Sequence, residues 1–256
     1  MQFFKNNTTR ALILILSALV VCTLAITYFV YKNIDESVDP RIVKARLLYE
    51  KYNGYAQNNE FDSVFALMDS IELIYSSIDH YKNSYEIGVL YNNRAASYLT
   101  MALFADTNQI DRSGRDSIIS LAETAANRSI GIYEQWLTIY QQKKRPEIQE
   151  LVLQNFFTGL EMYNKSRKRK FLKQRVKEIE EALVETQRRV SVSYTNLGII
   201  HRSRLQYESA AICYKKAVEL WDENLTAENN LNILLGKPLR KRNIIQKLFP
   251  PNHNKN

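Results

Sequence analysis

Glycine and proline are scarce: the 256 residues hold seven of the first and five of the second. Hairpin-rich β folds and α/β folds with glycine phosphate loops need more turn residues than that, so the composition argues against both and favours helices. Pro146 is the one proline between Pro40 and Pro238. Two cysteines, Cys22 and Cys213, are too few for a disulfide framework, and a lone thiol such as Cys213 reads as a small core residue. The three histidines, His80, His201 and His253, stand outside any HxH, HExxH or Cys/His pattern, so the sequence carries no metal-ligand motif. It also lacks GxGxxG, Walker A and GxSxG strings. No cofactor, no metal, no catalytic residue and no enzymatic activity are expected.

What is present begins with a long apolar run. Residues 11–31 (ALILILSALVVCTLAITYFVY) carry no charge. As a helix they span about 31 Å at about 1.5 Å per residue, matching a hydrocarbon core of about 30 Å. Lys5 and Arg10 precede the run, and Tyr28, Tyr31 and Lys32 close it like interface anchors. The expectation is a single-pass transmembrane helix that contacts the lipid bilayer through 11–31. Cleavage after Thr23-x-Ala25 is disfavoured because ITYFVY continues the apolar run. The flanking cations favour a cytoplasmic N-terminus, with the bulk of the chain periplasmic or otherwise extracytoplasmic. The expected organisation is a short tail (1–10), the membrane helix (11–31), a linker (32–40), a helical domain (41–236) and a basic tail (237–256).

Beyond Pro40, apolar residues recur at helical spacing. Ile42, Leu47, Leu48 and Tyr52 form one stripe, and Phe61, Val64, Phe65, Met68, Ile71 and Ile74 form a second. The polar break Gln57-Asn58-Asn59-Glu60 has the length that joins antiparallel helices. Residues 191–223 then show an ordered pattern. Tyr194-x2-Leu197-Gly198-x2-His201 is followed by Ala210-x3-Tyr214 and Ala217. This unit resembles a tetratricopeptide repeat, whose pattern is W-x2-L-G-x2-Y, then A-x3-F, then P. Tyr194, His201, Tyr214 and Asp222 stand where the family has Trp, Tyr, Phe and Pro. Gly198 and Ala210 are expected to be small because two helices cross there.

Weaker units begin at Tyr91 (Tyr91-x2-Arg94-Ala95-x2-Tyr98), at Phe156 and at Leu48. Residues 105–116 read as a polar loop and 117–142 as one long helix. Residues 225–235 resemble a solo capping helix stopped by Gly236. The expected fold class is all-α: a transmembrane helix, then an irregular tetratricopeptide-like solenoid of helical hairpins with a C-terminal capping helix.

Lys+Arg exceeds Asp+Glu by 35 to 27, a net charge of +8. Residues 165–177 supply that whole excess: Lys165, Arg167, Lys168, Arg169, Lys170, Lys173, Arg175 and Lys177, with no acid among them. These cations are the candidate partner-binding residues, either crowding the start of a helix near Arg169 or, for 165–168, finishing the helix before it. The resemblance implies a membrane-anchored scaffold or adaptor holding another protein or peptide in its groove, in envelope or complex assembly. The alternative is a basic helical module for anionic lipid or nucleic acid. Nucleic acid is the less expected partner, since an extracytoplasmic domain would not meet it.

Overall fold

A computed structural model describes residues 36–104 and 111–241. They form eight helices: α1 (Val43–Gln57), α2 (Phe61–Ser76), α3 (Tyr85–Phe104), α4 (Arg112–Tyr140), α5 (Arg145–Leu153), α6 (Lys165–Ser203), α7 (Tyr207–Leu220) and α8 (Leu225–Leu234). No strand occurs among the described residues.

The expected fold class is corrected in one part. Among the described residues no helix is long and apolar enough to cross a membrane. The longest, α4 and α6, carry charged side chains along their lengths. What stands is an all-α arrangement. The span expected at 11–31 lies outside the described residues, as do 105–110 and the tail from 242.

Local chemistry sets the helix ends. Asn59 turns the chain between α1 and α2 with a φ of 57°, a left-handed conformation that asparagine tolerates. Asp111 caps α4 by accepting from the Gly114 amide at 2.7 Å, so that helix starts at Arg112, inside the stretch expected to be loop. Asn164 caps α6 by accepting from the Arg167 amide at 2.9 Å. Gly236, with a φ of 65°, follows α8.

Side-chain pairings across the seams give the topology. Between α2 and α3, Arg94 bonds Asp69 and Glu72, while Phe65 stacks on Tyr98 at 4.3 Å, so the helices are antiparallel. The α1–α2 hairpin is antiparallel too, which makes α1 parallel to α3, with Asn93 donating to the Tyr49 hydroxyl across them. Asn92 of α3 accepts from Ser193 and Asn196 of α6 at 2.9 and 3.1 Å, and Asn224 at the head of α8 donates to Ser191 and Thr195. Farther along, Arg202 bonds Asn230 at 2.8 Å. Helices α1, α3, the second half of α6, and α8 therefore lie side by side in one parallel row. Helices α2, α4 and α7 run the other way behind them, and apolar side chains fill the space between the layers.

The first half of α6 departs from this pattern. It projects past the row and is wrapped by α5 and by residues 154–164, which bury Ile148, Val152, Phe156 and Leu160. Arg41, just ahead of α1, ties the wrap down by donating to the carbonyl oxygens of Phe156 and Thr158 while pairing with Asp39 at 2.6 Å.

Candidate functional site

The seven residues of the repeat-like pattern, Tyr194, Leu197, Gly198, His201, Ala210, Tyr214 and Ala217, lie on α6 and α7. A Cβ placed on Gly198 would stand 2.5 Å from Cε1 of Tyr214, so the ring rests directly on the glycine backbone. Ala210, Tyr214 and Ala217 are fully buried and Leu197 nearly so. Tyr194 is half-buried and donates to Glu134 at 3.1 Å. His201 is half-buried at the end of α6, with Nδ1 2.8 Å from the Gln206 side chain. These residues fasten helices together. Cys213 is buried between the same helices, and burial pushes its thiol up.

The eight cations of 165–177 all lie on α6, which begins at Lys165 and not near Arg169. The first turn of the helix therefore carries Lys165, Arg167 and Lys168, and they do not finish a preceding helix. The structure then sorts them. Lys165, Arg167, Arg169 and Lys173 are exposed and form no ion pair among the described residues. Arg167 lies over the rings of Tyr163 and Phe171, and Lys168 over Phe157 at 5.9 Å. Lys170 pairs with Glu36 at 2.9 Å and Lys177 with Glu181 at 3.5 Å. Met162, 85% exposed, sits beside this surface just ahead of the cap.

Arg175 turns inward. It is 2% exposed and makes a two-pronged pair with Glu86 of α3, the second contact at 3.3 Å. Its guanidinium also lies 4.4 Å from the Tyr81 ring centroid, and Tyr81 donates to Asp39 at 3.2 Å. Burial alone raises the Glu86 carboxyl, but the guanidinium and its hydrogen bonds outweigh that and hold it below its usual value. Nε of Arg175 donates to Nε2 of His80 at 3.0 Å. The His80 proton therefore sits on Nδ1, which donates to Asn155 Oδ1 at 2.9 Å. Burial and then the Arg175 charge pull the His80 pKa down to about 4. Nothing in the sequence around His80 or Glu86 marked this cluster, because its members lie on four separate segments.

The cluster floors a cleft of about 240 Å³ whose far wall is Trp136, Ile139, Tyr140 and Leu151. Both His80 nitrogens are engaged and Arg175 is held by Glu86, while Asp79, Lys82 and Ser84 complete the lining. No group of three or more His, Cys, Asp or Glu poised for a metal occurs among the described residues. What the molecule presents chemically is a fastened helical array with an open cationic surface at one end. No family model, no curated protein and no solved structure matches this chain.

Proposed function

We propose that this chain is a protein-binding helical scaffold whose partner presents carboxylates to the first half of α6. The observation that carries the reading is the set of exposed cations Lys165, Arg167, Arg169 and Lys173 on the opening turns of that helix, which form no ion pair among the described residues. The N-terminal end of a helix is its positive end, and a cation in its first turn, where Lys165 and Arg167 stand, is unfavourable by about 0.3–1 kcal/mol before screening. An acidic partner offsets that repulsion. The parallel row of α1, α3, α6 and α8, together with the tetratricopeptide-like pattern of 191–223, supports partner binding over catalysis.

The test replaces those four cations with Gln and measures binding of a polyglutamate chain at rising salt. The wild type should bind, with affinity falling steeply between low and physiological ionic strength, while the variant binds weakly at every salt concentration. The variant should also be as stable as the wild type or more so. Equal binding by both chains overturns the reading. A DNA duplex or anionic vesicles binding the wild type more tightly than polyglutamate would overturn it in favour of a basic module for nucleic acid or lipid.

A further inference from the structure

Two guanidinium–carboxylate pairs lie along the seam between α1, α3 and α6, and a third guanidinium, over the same Tyr85 ring as that of Arg175, has no carboxylate among the described residues. Arg46 pairs with Glu178 at 2.7 Å, and Arg175 pairs with Glu86 while standing 3.6 Å from Glu178. The third, Arg189, lies three turns and more beyond the cationic end of α6 and forms no ion pair among the described residues. It is half-buried, and its Nη1 is shut off from solvent with no hydrogen-bond acceptor. Its guanidinium stands 5.4 Å from the centroid of the Tyr85 ring, and its charge acts on the phenols of Tyr49 and Tyr133. The Tyr49 oxygen accepts from Asn93, but its own proton goes to no acceptor among the described residues.

This arrangement is donor-rich, carries one surplus positive charge and is walled by aromatic rings. A partly desolvated cation without a counterion is costly, and a guanidinium offers its nitrogens as a planar fork that fits a carboxylate on two bonds. We propose that Arg189 is an oxyanion site whose ligand is a carboxylate, gripped by the guanidinium fork with the Tyr49 hydroxyl as a further donor. The tyrosine rings exclude water from the grip and cover the apolar stem that an acidic side chain carries.

The site is separate from the cationic start of α6, so it is tested separately. Sodium acetate, and in a second series inorganic phosphate, is titrated into the full chain at constant ionic strength. The Arg189 Nε–H resonance and the ring resonances of Tyr49 and Tyr85 are followed. Acetate should shift all three saturably. Arg189→Lys, which keeps the charge but loses the fork, should weaken the response of the rings by at least about tenfold, and Arg189→Gln should abolish it. Tyr49→Phe should weaken it roughly tenfold, which keeps the site testable if the Gln variant fails to fold. The Gln variant of Lys165, Arg167, Arg169 and Lys173 should titrate like the wild type, so failure here and failure of the scaffold reading are told apart. The site is overturned if acetate gives no saturable shift or if Arg189→Gln responds like the wild type. Phosphate saturating at lower concentration than acetate overturns the carboxylate as the ligand.

Discussion

Gly88 and Tyr133 stand to each other as Gly198 and Tyr214 do. A Cβ on Gly88 would lie 2.6 Å from Cε1 of Tyr133, against 2.5 Å for the second pair, and in both the next contact is Cδ1 of the same ring. The ring of a rear-layer helix thus presses on the bare backbone of a front-row helix in two successive hairpins. Ser129, four residues before Tyr133, fills the place that Ala210 fills before Tyr214, and both are fully buried.

Adding a methyl group at either contact forces a buried ring to move. Gly88→Ala and Gly198→Ala should each destabilise the fold by about 1–3 kcal/mol, against the roughly 1 kcal/mol that alanine gains in an open helix. Gly131, on α4 with nothing within 4 Å of its would-be Cβ, supplies the control, and Gly131→Ala should stabilise by about 0.5–1 kcal/mol. Urea unfolding of the three variants checks the ordering, and equal shifts at all three positions would contradict the packing.

The Tyr214 hydroxyl is buried and has no hydrogen-bond partner. Removing an unsatisfied buried hydroxyl while keeping the ring should be neutral or should stabilise by about 1 kcal/mol. Tyr214→Phe tests this in the same unfolding assay. A loss of more than about 1 kcal/mol would mean that the hydroxyl is bonded.

Arg175 and Glu86 form a buried pair, and removing one partner strands the other's charge. Arg175→Met should cost about 3–5 kcal/mol, and Arg175→Met with Glu86→Leu should recover a large part of that loss. The double-mutant cycle reads out the coupling, which should be absent if the two groups titrate independently in water.

His80 ties stability to pH. Its folded-state pKa of about 4 lies below the ordinary value of 6.5, so the unfolded chain binds the proton first. Stability from this group is complete above pH 6.5 and declines as the pH falls towards 4, by up to about 3 kcal/mol. The lowered Glu86 carboxyl adds a loss of the same sign at still lower pH. His80→Gln should flatten the decline between pH 6.5 and 4.5 in denaturant titrations, and an unchanged slope would show that His80 stays neutral in both states or charged in both.

The hairpins at α1–α2 and α6–α7 were legible because only three residues separate the helices in each, so both stripes fall within one short stretch of sequence. The pattern around Gly198 was legible because its two halves lie 16 residues apart in one unit. The pair Gly88–Tyr133 escaped for the opposite reason. Lengthened helices separate its members by 45 residues, and taking Tyr91 as the start of a unit passed over Ile87-Gly88-x2-Tyr91, which repeats Leu197-Gly198-x2-His201. Residues 165–177 were readable as a charge excess but not as a surface. Arg175 occupies a core position of the same stripe as Phe171, Leu172 and Val176, and Glu86 on α3, with His80 and Glu178, makes that burial tolerable.

Helix α6 runs unbroken for 39 residues, about 58 Å at about 1.5 Å per residue, with neither proline nor glycine before Gly198. One rod therefore joins the cationic end to the hairpin it makes with α7. A load applied at Lys165 meets no hinge before that hairpin, so a partner that tilts one end carries the other with it.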